Sequence, residues 1–179
     1  MATMRFSLRP LVFVVLLPLL CSGVAHSKSP FDATKRAVLP SKAAAPLLER
    51  HDADGDWRAS EWTISPKDLD RLEAVLAPAL RTSDVGRSSF DTRAFYRQYM
   101  PVRWKTFHVI VVNGFNASAS DLFPDRGISP DQWKHELMTV FGGGCGYWYT
   151  VYVVEQNRLM ALPREGARRK SAVVCNAPK

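Results

Sequence analysis

The sequence predicts an α+β domain in which N-terminal helices pack on one face of a small antiparallel sheet of three to four strands. Three observations carry that prediction. Apolar residues recur at helical spacing in the first half of the chain, strict apolar alternation is confined to the second half, and turn-forming residues separate the alternating runs. Helices followed by strands, without a regular βαβ alternation, indicate helices set against an antiparallel sheet rather than a parallel one.

Residues 1–27 stand apart from that fold. Arg5 and Arg9 precede an apolar run over residues 11–20, and small residues follow at Ser22, Gly23 and Ala25. This is the order of a secretory signal peptide cleaved after Ala25 or Ser27, and the run is too short to stay behind as a membrane span. A lipoprotein reading of Cys21 fails because Leu20 stands where a small residue is needed. The expected location is therefore periplasmic or secreted, with no transmembrane helix after cleavage. Residues 28–41 are rich in Lys, Ala, Ser and Pro without an apolar period and read as a flexible leader. Residues 42–179 then form a single α+β domain.

Within that domain, residues 43–51 form a short helix weakened by Pro46. Ser65 as N-cap, Pro66 in the first helical position and Asp68 in the first turn open a clearer one. Its Leu69, Leu72, Leu76 and Leu80 share a face, and Pro78 predicts a distorted or early-ending last turn. Asp91 as a cap, Phe95 and Tyr99 four residues apart and Pro101 as a terminator predict another helix over residues 92–100. The period then falls to two. Over residues 104–113, Phe107, Val109 and Val111 alternate with His108, Ile110 and Val112, a strand rich in β-branched residues.

Residues 114–127 read as a polar loop. Ser129-Pro130-Asp131-Gln132 resembles a capping box and predicts a helix running to about Thr139. Beyond Gly142, Gly143 and Gly144, residues 146–154 alternate as Tyr147, Tyr149, Val151, Val153 against Trp148, Thr150, Tyr152, Val154, a second strong strand. Gln156-Asn157 turns the chain into residues 158–162 as a hairpin, and residues 171–175 supply a last short strand.

The chain has 179 residues, 46% of them hydrophobic and 23% charged, which is ordinary for one globular domain and excludes a disordered or fibrous protein. No internal repeat, phosphate loop or dinucleotide fingerprint is present. The formal net charge is +7. Outside the signal segment the excess lies at the C-terminal end, where Arg158, Arg164, Arg168, Arg169, Lys170 and Lys179 face only Glu165. Arg164, Arg168, Arg169 and Lys170 are thus candidates for meeting an anionic envelope surface, lipid headgroup or wall polymer. Export disfavours nucleic acid as the partner.

The densest chemistry is acidic. Asp52, Asp54, Asp56 and Glu61 place four carboxylates in ten residues, an arrangement that a hard cation relieves. The stretch resembles an EF-hand loop, and more closely the shortened loop of the extracellular Excalibur calcium-binding motif. The resemblance implies calcium held by Asp52, Asp54, Asp56, the Arg58 carbonyl and a bidentate Glu61. It departs from the pattern at Trp57, where glycine makes the sharp turn, and at Ser60, where Excalibur has cysteine. Without the ion, the same residues make a solvated acidic turn neutralised by Arg50, His51 and Arg58.

Cys145 also has two readings. Gly144-Cys145-Gly146-Tyr147-Trp148 resembles the nucleophile of papain-like cysteine proteases, which requires a nearby imidazole to hold the thiolate. His108 and His135 both precede it, the reverse of the papain order. Alternatively, signal cleavage leaves two cysteines in an oxidising compartment, each at a strand end, as a Cys145–Cys175 disulfide. His108 within its strand reads as a packed or edge histidine, and His135 as a solvated one.

More broadly, Phe95-Tyr96-Arg97-Gln98-Tyr99, Val111-Val112-Asn113-Gly114-Phe115 and the glycine-rich turn into Trp148 resemble a family of uncharacterised secreted bacterial proteins. The resemblance spans about residues 95–176 and implies an exported α+β domain without established catalytic residues. The expected function is a non-enzymatic exported domain with a calcium loop. An envelope-acting hydrolase using Cys145 or the acidic residues, and an adhesin using the basic end, are the alternatives.

Overall fold

The computed structural model describes residues 31–49, 56–88, 91–116, 131–139, 144–161 and 171–176. Its centre is a meander of three ten-residue strands: β3 (Phe95–Trp104), β4 (Phe107–Asn116) and β5 (Gly144–Val153). β3 and β4 pair antiparallel along their whole length, from Phe95↔Asn116 to Trp104↔Phe107, and β4 pairs antiparallel with β5 from Val109↔Val153 to Phe115↔Tyr147. Lys105 makes the tight β3–β4 turn with φ 54°, and Asn157, a residue that tolerates positive φ, turns β5 into β6 (Arg158–Leu159) with φ 47°.

Short strands line both sides of the meander. β1 (Arg36–Val38) pairs parallel with β3 at Arg97–Tyr99, and β2 (Trp57–Ala59) pairs antiparallel with β3 at Val102–Trp104. Pro101, which has no N–H to give, sits in the gap between those two pairings. On the far side β6 and β7 (Val174–Asn176) both pair with β5. Among the described residues the sheet is thus mixed and seven-stranded, larger than the three to four antiparallel strands the sequence predicts.

The predicted helix over residues 92–100 is absent: residues 92–94 form a turn and residues 95–100 belong to strand β3. Phe95 and Tyr99, four apart, share a face in either conformation, so their spacing could not separate the two periods. Asp91 opens a turn instead of a helix: its Oδ1 accepts from Arg93 N at 2.9 Å and its carbonyl from Ala94 N at 2.9 Å. Residues 31–41 are likewise no leader. They hold a 3₁₀ turn (Ala33–Lys35), β1 and the buried Phe31 and Leu39, the latter donating N–H to Tyr99 O at 2.9 Å. In place of the long helix to Thr139 there is one 3₁₀ turn, Gln132–Lys134.

Among the described residues three α-helices accompany the sheet: α1 (Ala45–Leu48), α2 (Pro66–Thr82) and α3 (Asp84–Arg87). Ser65 caps α2 through a reciprocal capping box with Asp68, and the helix continues through Pro78 to Thr82. Leu69, Leu72, Leu76 and Leu80 are buried in one cluster with Phe95, Tyr99, Ile110, Val112, Trp148 and Tyr152. Leu47 of α1 belongs to a different cluster, with Leu39, Met100, Val102, Val109, Val111, Val151 and Val153 from the alternate positions of the strands. No helix among the described residues is long and apolar enough to cross a membrane.

Candidate functional site

Cys145 and Cys175 form a disulfide, with S–S 2.06 Å and Cα–Cα 4.6 Å. The register of β5 against β7 slips between Gly144 and Trp148, and Cys145 lies within that slip. The bond removes the sulfur that the papain-like reading requires, since only a thiolate attacks. His108 and His135 have no thiol to serve there.

The acidic stretch is only partly described, because Asp52 and Asp54 lie outside the described residues. Asp56 precedes β2: its carbonyl accepts from Lys105 N at 3.2 Å and its carboxylate pairs with Lys105 Nζ at 3.2 Å. Arg58 lies within β2, and Glu61 is exposed beyond it. β2 lies between Asp56 and Glu61 in the chain. No three His, Cys, Asp or Glu side chains gather as a metal site among the described residues. Arg164, Arg168, Arg169 and Lys170 lie outside the described residues.

Two buried polar networks escaped sequence reasoning. In the first, Arg97 is enclosed on every side. Its Nε donates to Tyr99 Oη at 3.0 Å, and its two terminal nitrogens donate to Phe95 O and Asp32 O at 2.7 Å each. Phe31 lies under the guanidinium, 4.5 Å from ring centroid to Cζ. Tyr99 in turn donates to Glu73 Oε1 at 2.7 Å, and Arg36 stands 3.7 Å from the other Glu73 oxygen. Burial pushes the Tyr99 phenol far above its ordinary range and keeps it a proton donor. The network anchors the segment around Asp32 to the sheet.

In the second network, Gln98 Nε2 donates to Trp133 O and Glu136 O, while its Oε1 accepts from Asn113 Nδ2 and Met138 N. Asn113 also donates to Met138 O at 2.7 Å. These side chains satisfy the backbone of residues 133–138 in place of helical bonds, which is why the predicted helix shrinks to one turn. Both networks close on themselves and serve the fold.

One polar cluster opens to solvent. Arg58, Arg103 and His108 are successive cross-strand partners on β2, β3 and β4, so their side chains leave the same face. His108 Nδ1 lies 2.8 Å from Glu155 Oε1, and the same carboxylate accepts the His108 backbone N–H at 3.0 and 3.2 Å. Arg103 contacts His108 Nε2 at 3.1 Å. A guanidinium can only donate, so Nε2 accepts and Nδ1–H donates to Glu155. Trp62 stands edge-on to the imidazole, with centroids 5.1 Å apart. Burial alone would raise the Glu155 carboxyl, but hydrogen bonds from the His108 backbone, from Glu155's own backbone and from the His108 ring together outweigh it and hold the group below the usual range. The sequence signal for this row was faint: a polar residue in an apolar strand, with Glu155 just past the strand beside it.

No family model, curated protein or solved structure matches this chain.

Proposed function

We propose that this chain is an exported, disulfide-stapled α+β domain that acts by binding rather than by catalysis. The Cys145–Cys175 bond carries the reading. It occupies both cysteines beyond the signal-like segment, leaving no thiol for a cysteine hydrolase, and such bonds persist chiefly in oxidising compartments. The basic, apolar and small residues in order over residues 1–27 support the same address, as does the resemblance of residues 95–176 to secreted bacterial proteins. Calcium binding by residues 52–61 belongs to the proposal on the spacing of its acids. A higher melting temperature in millimolar calcium, abolished by Glu61→Ala, is its expected sign.

Intact-mass analysis of the exported product, with and without alkylation, tests the main reading. The expected product begins at His26 or Lys28 and takes up no alkylating agent even when denatured. A Cys145 that is alkylated in the native protein overturns it.

A further inference from the structure

Two arginines stand opposite each other at the β2–β3 edge, and neither is ion-paired among the described residues. Arg58 and Arg103 are Cα partners in the antiparallel register and both are exposed. Like charges placed directly opposite destabilise a strand pair. The carboxylate at the other end of the row, Glu155, is already engaged by the ring and backbone of His108. The neighbouring acid Asp56 is likewise held by Lys105. Among the described residues the row therefore presents two guanidinium groups without an acidic partner, with His108 bracing Arg103 and Trp62 beside the imidazole.

We propose that Arg58 and Arg103 bind a phosphate group. Adjacent antiparallel strands set such side chains about 5 Å apart. A tetrahedral oxyanion between them can take parallel N–H···O bonds from each planar fork, a geometry that arginine supplies and lysine does not. The phosphate arrives either as the free ion or on an anionic lipid headgroup. This site names a ligand class for the binding reading, but it uses residues that a free Cys145 would leave intact, so the two ideas fail separately.

The test is thermal melting of the mature chain in inorganic phosphate, with chloride at equal ionic strength as the reference. Wild type should melt higher in phosphate, because a ligand of the native state stabilises it. Arg58→Gln and Arg103→Gln should each weaken the apparent phosphate affinity about tenfold or more. Without phosphate both variants should melt at or above wild type, since each removes one of two facing charges. Lys105→Gln, which loses a cation already paired with Asp56, should keep the phosphate response. A wild type indifferent to phosphate, a response that survives both arginine variants, or variants that melt lower without phosphate would overturn the site. Phosphatidic-acid vesicles separate the sources. Retention of wild type but not of Arg103→Gln assigns the headgroup, and a phosphate response without retention assigns the free ion.

Discussion

At Gly114 the sheet admits nothing larger than hydrogen. A Cβ there would lie 2.1 and 2.2 Å from Trp148 Cε2 and Cζ2, in a ring that is itself buried. Gly114→Ala should cost about 3 kcal/mol or more by urea denaturation, and Trp148→Phe in the same chain should recover part of the loss. Trp148 Nε1 is buried with no hydrogen-bond partner among the described residues. The sequence marked Gly114 as the start of a loop, because a glycine carries no sign of the ring that will cover it. The Glu73–Tyr99–Arg97 network was also hidden. Glu73 lies on the leucine face of α2 and Arg97 among aromatics, so each was a misplaced charge until the fold brought them together at 3.5 Å. Glu73→Ala, which strands a buried guanidinium, should cost about 3–5 kcal/mol. Tyr99→Phe should cost about 1–3 kcal/mol, and urea midpoints should rank the two. The raised Tyr99 group stabilises the fold fully below the ordinary tyrosine range. That contribution is lost as pH rises past it, because the unfolded phenol ionises first. Tyr99→Phe should flatten this alkaline loss.

Elements were legible where one period excluded the other. α2 announced itself by its cap, its proline and four leucines, and β4 and β5 by long β-branched alternation. β3 did not, because its aromatics at positions 95 and 99 satisfy both periods and its Pro101 imitates a helix stop. β1 and β2 are three residues each, too short to show any period, and they exist by pairing with β3. A leader-like composition therefore concealed a structural element. A chain lacking residues 1–41 should be less stable than one lacking residues 1–27 by about 2–5 kcal/mol. The loss comes from β1, the buried Leu39 and the Asp32 carbonyl that Arg97 needs. Equal melting of the two chains would return residues 31–41 to the leader their composition suggested.

At the scale of the molecule, the α+β class was readable from the order of its periods, while the number of strands was not, because the short strands are products of tertiary pairing. The phosphate row was unreadable for the same reason: Arg58, Arg103 and His108 become neighbours only through two registers. Covalent closure acts at this scale too. The bond between Cys145 and Cys175 spans 30 residues and joins the central meander to the last strand. Reduction should destabilise the folded chain by about 3–4 kcal/mol on the loop-entropy model, read as a lower melting temperature in reductant.

The parallel pairing of β1 with β3 also sets an order of events. Val38 meets Tyr99, about sixty residues later in the chain. At synthesis rates of about 5–20 residues per second, the first strand waits roughly 3–12 s for its partner to exist. Through that interval Phe31, Ala37 and Leu39, all buried in the finished fold, have no surface to cover them. The segment most exposed to a chaperone or to a wrong neighbour is thus the earliest-made part of the described fold. Lys35 and Arg36, set among those apolar residues, are the charges that discourage its association with other chains while it waits.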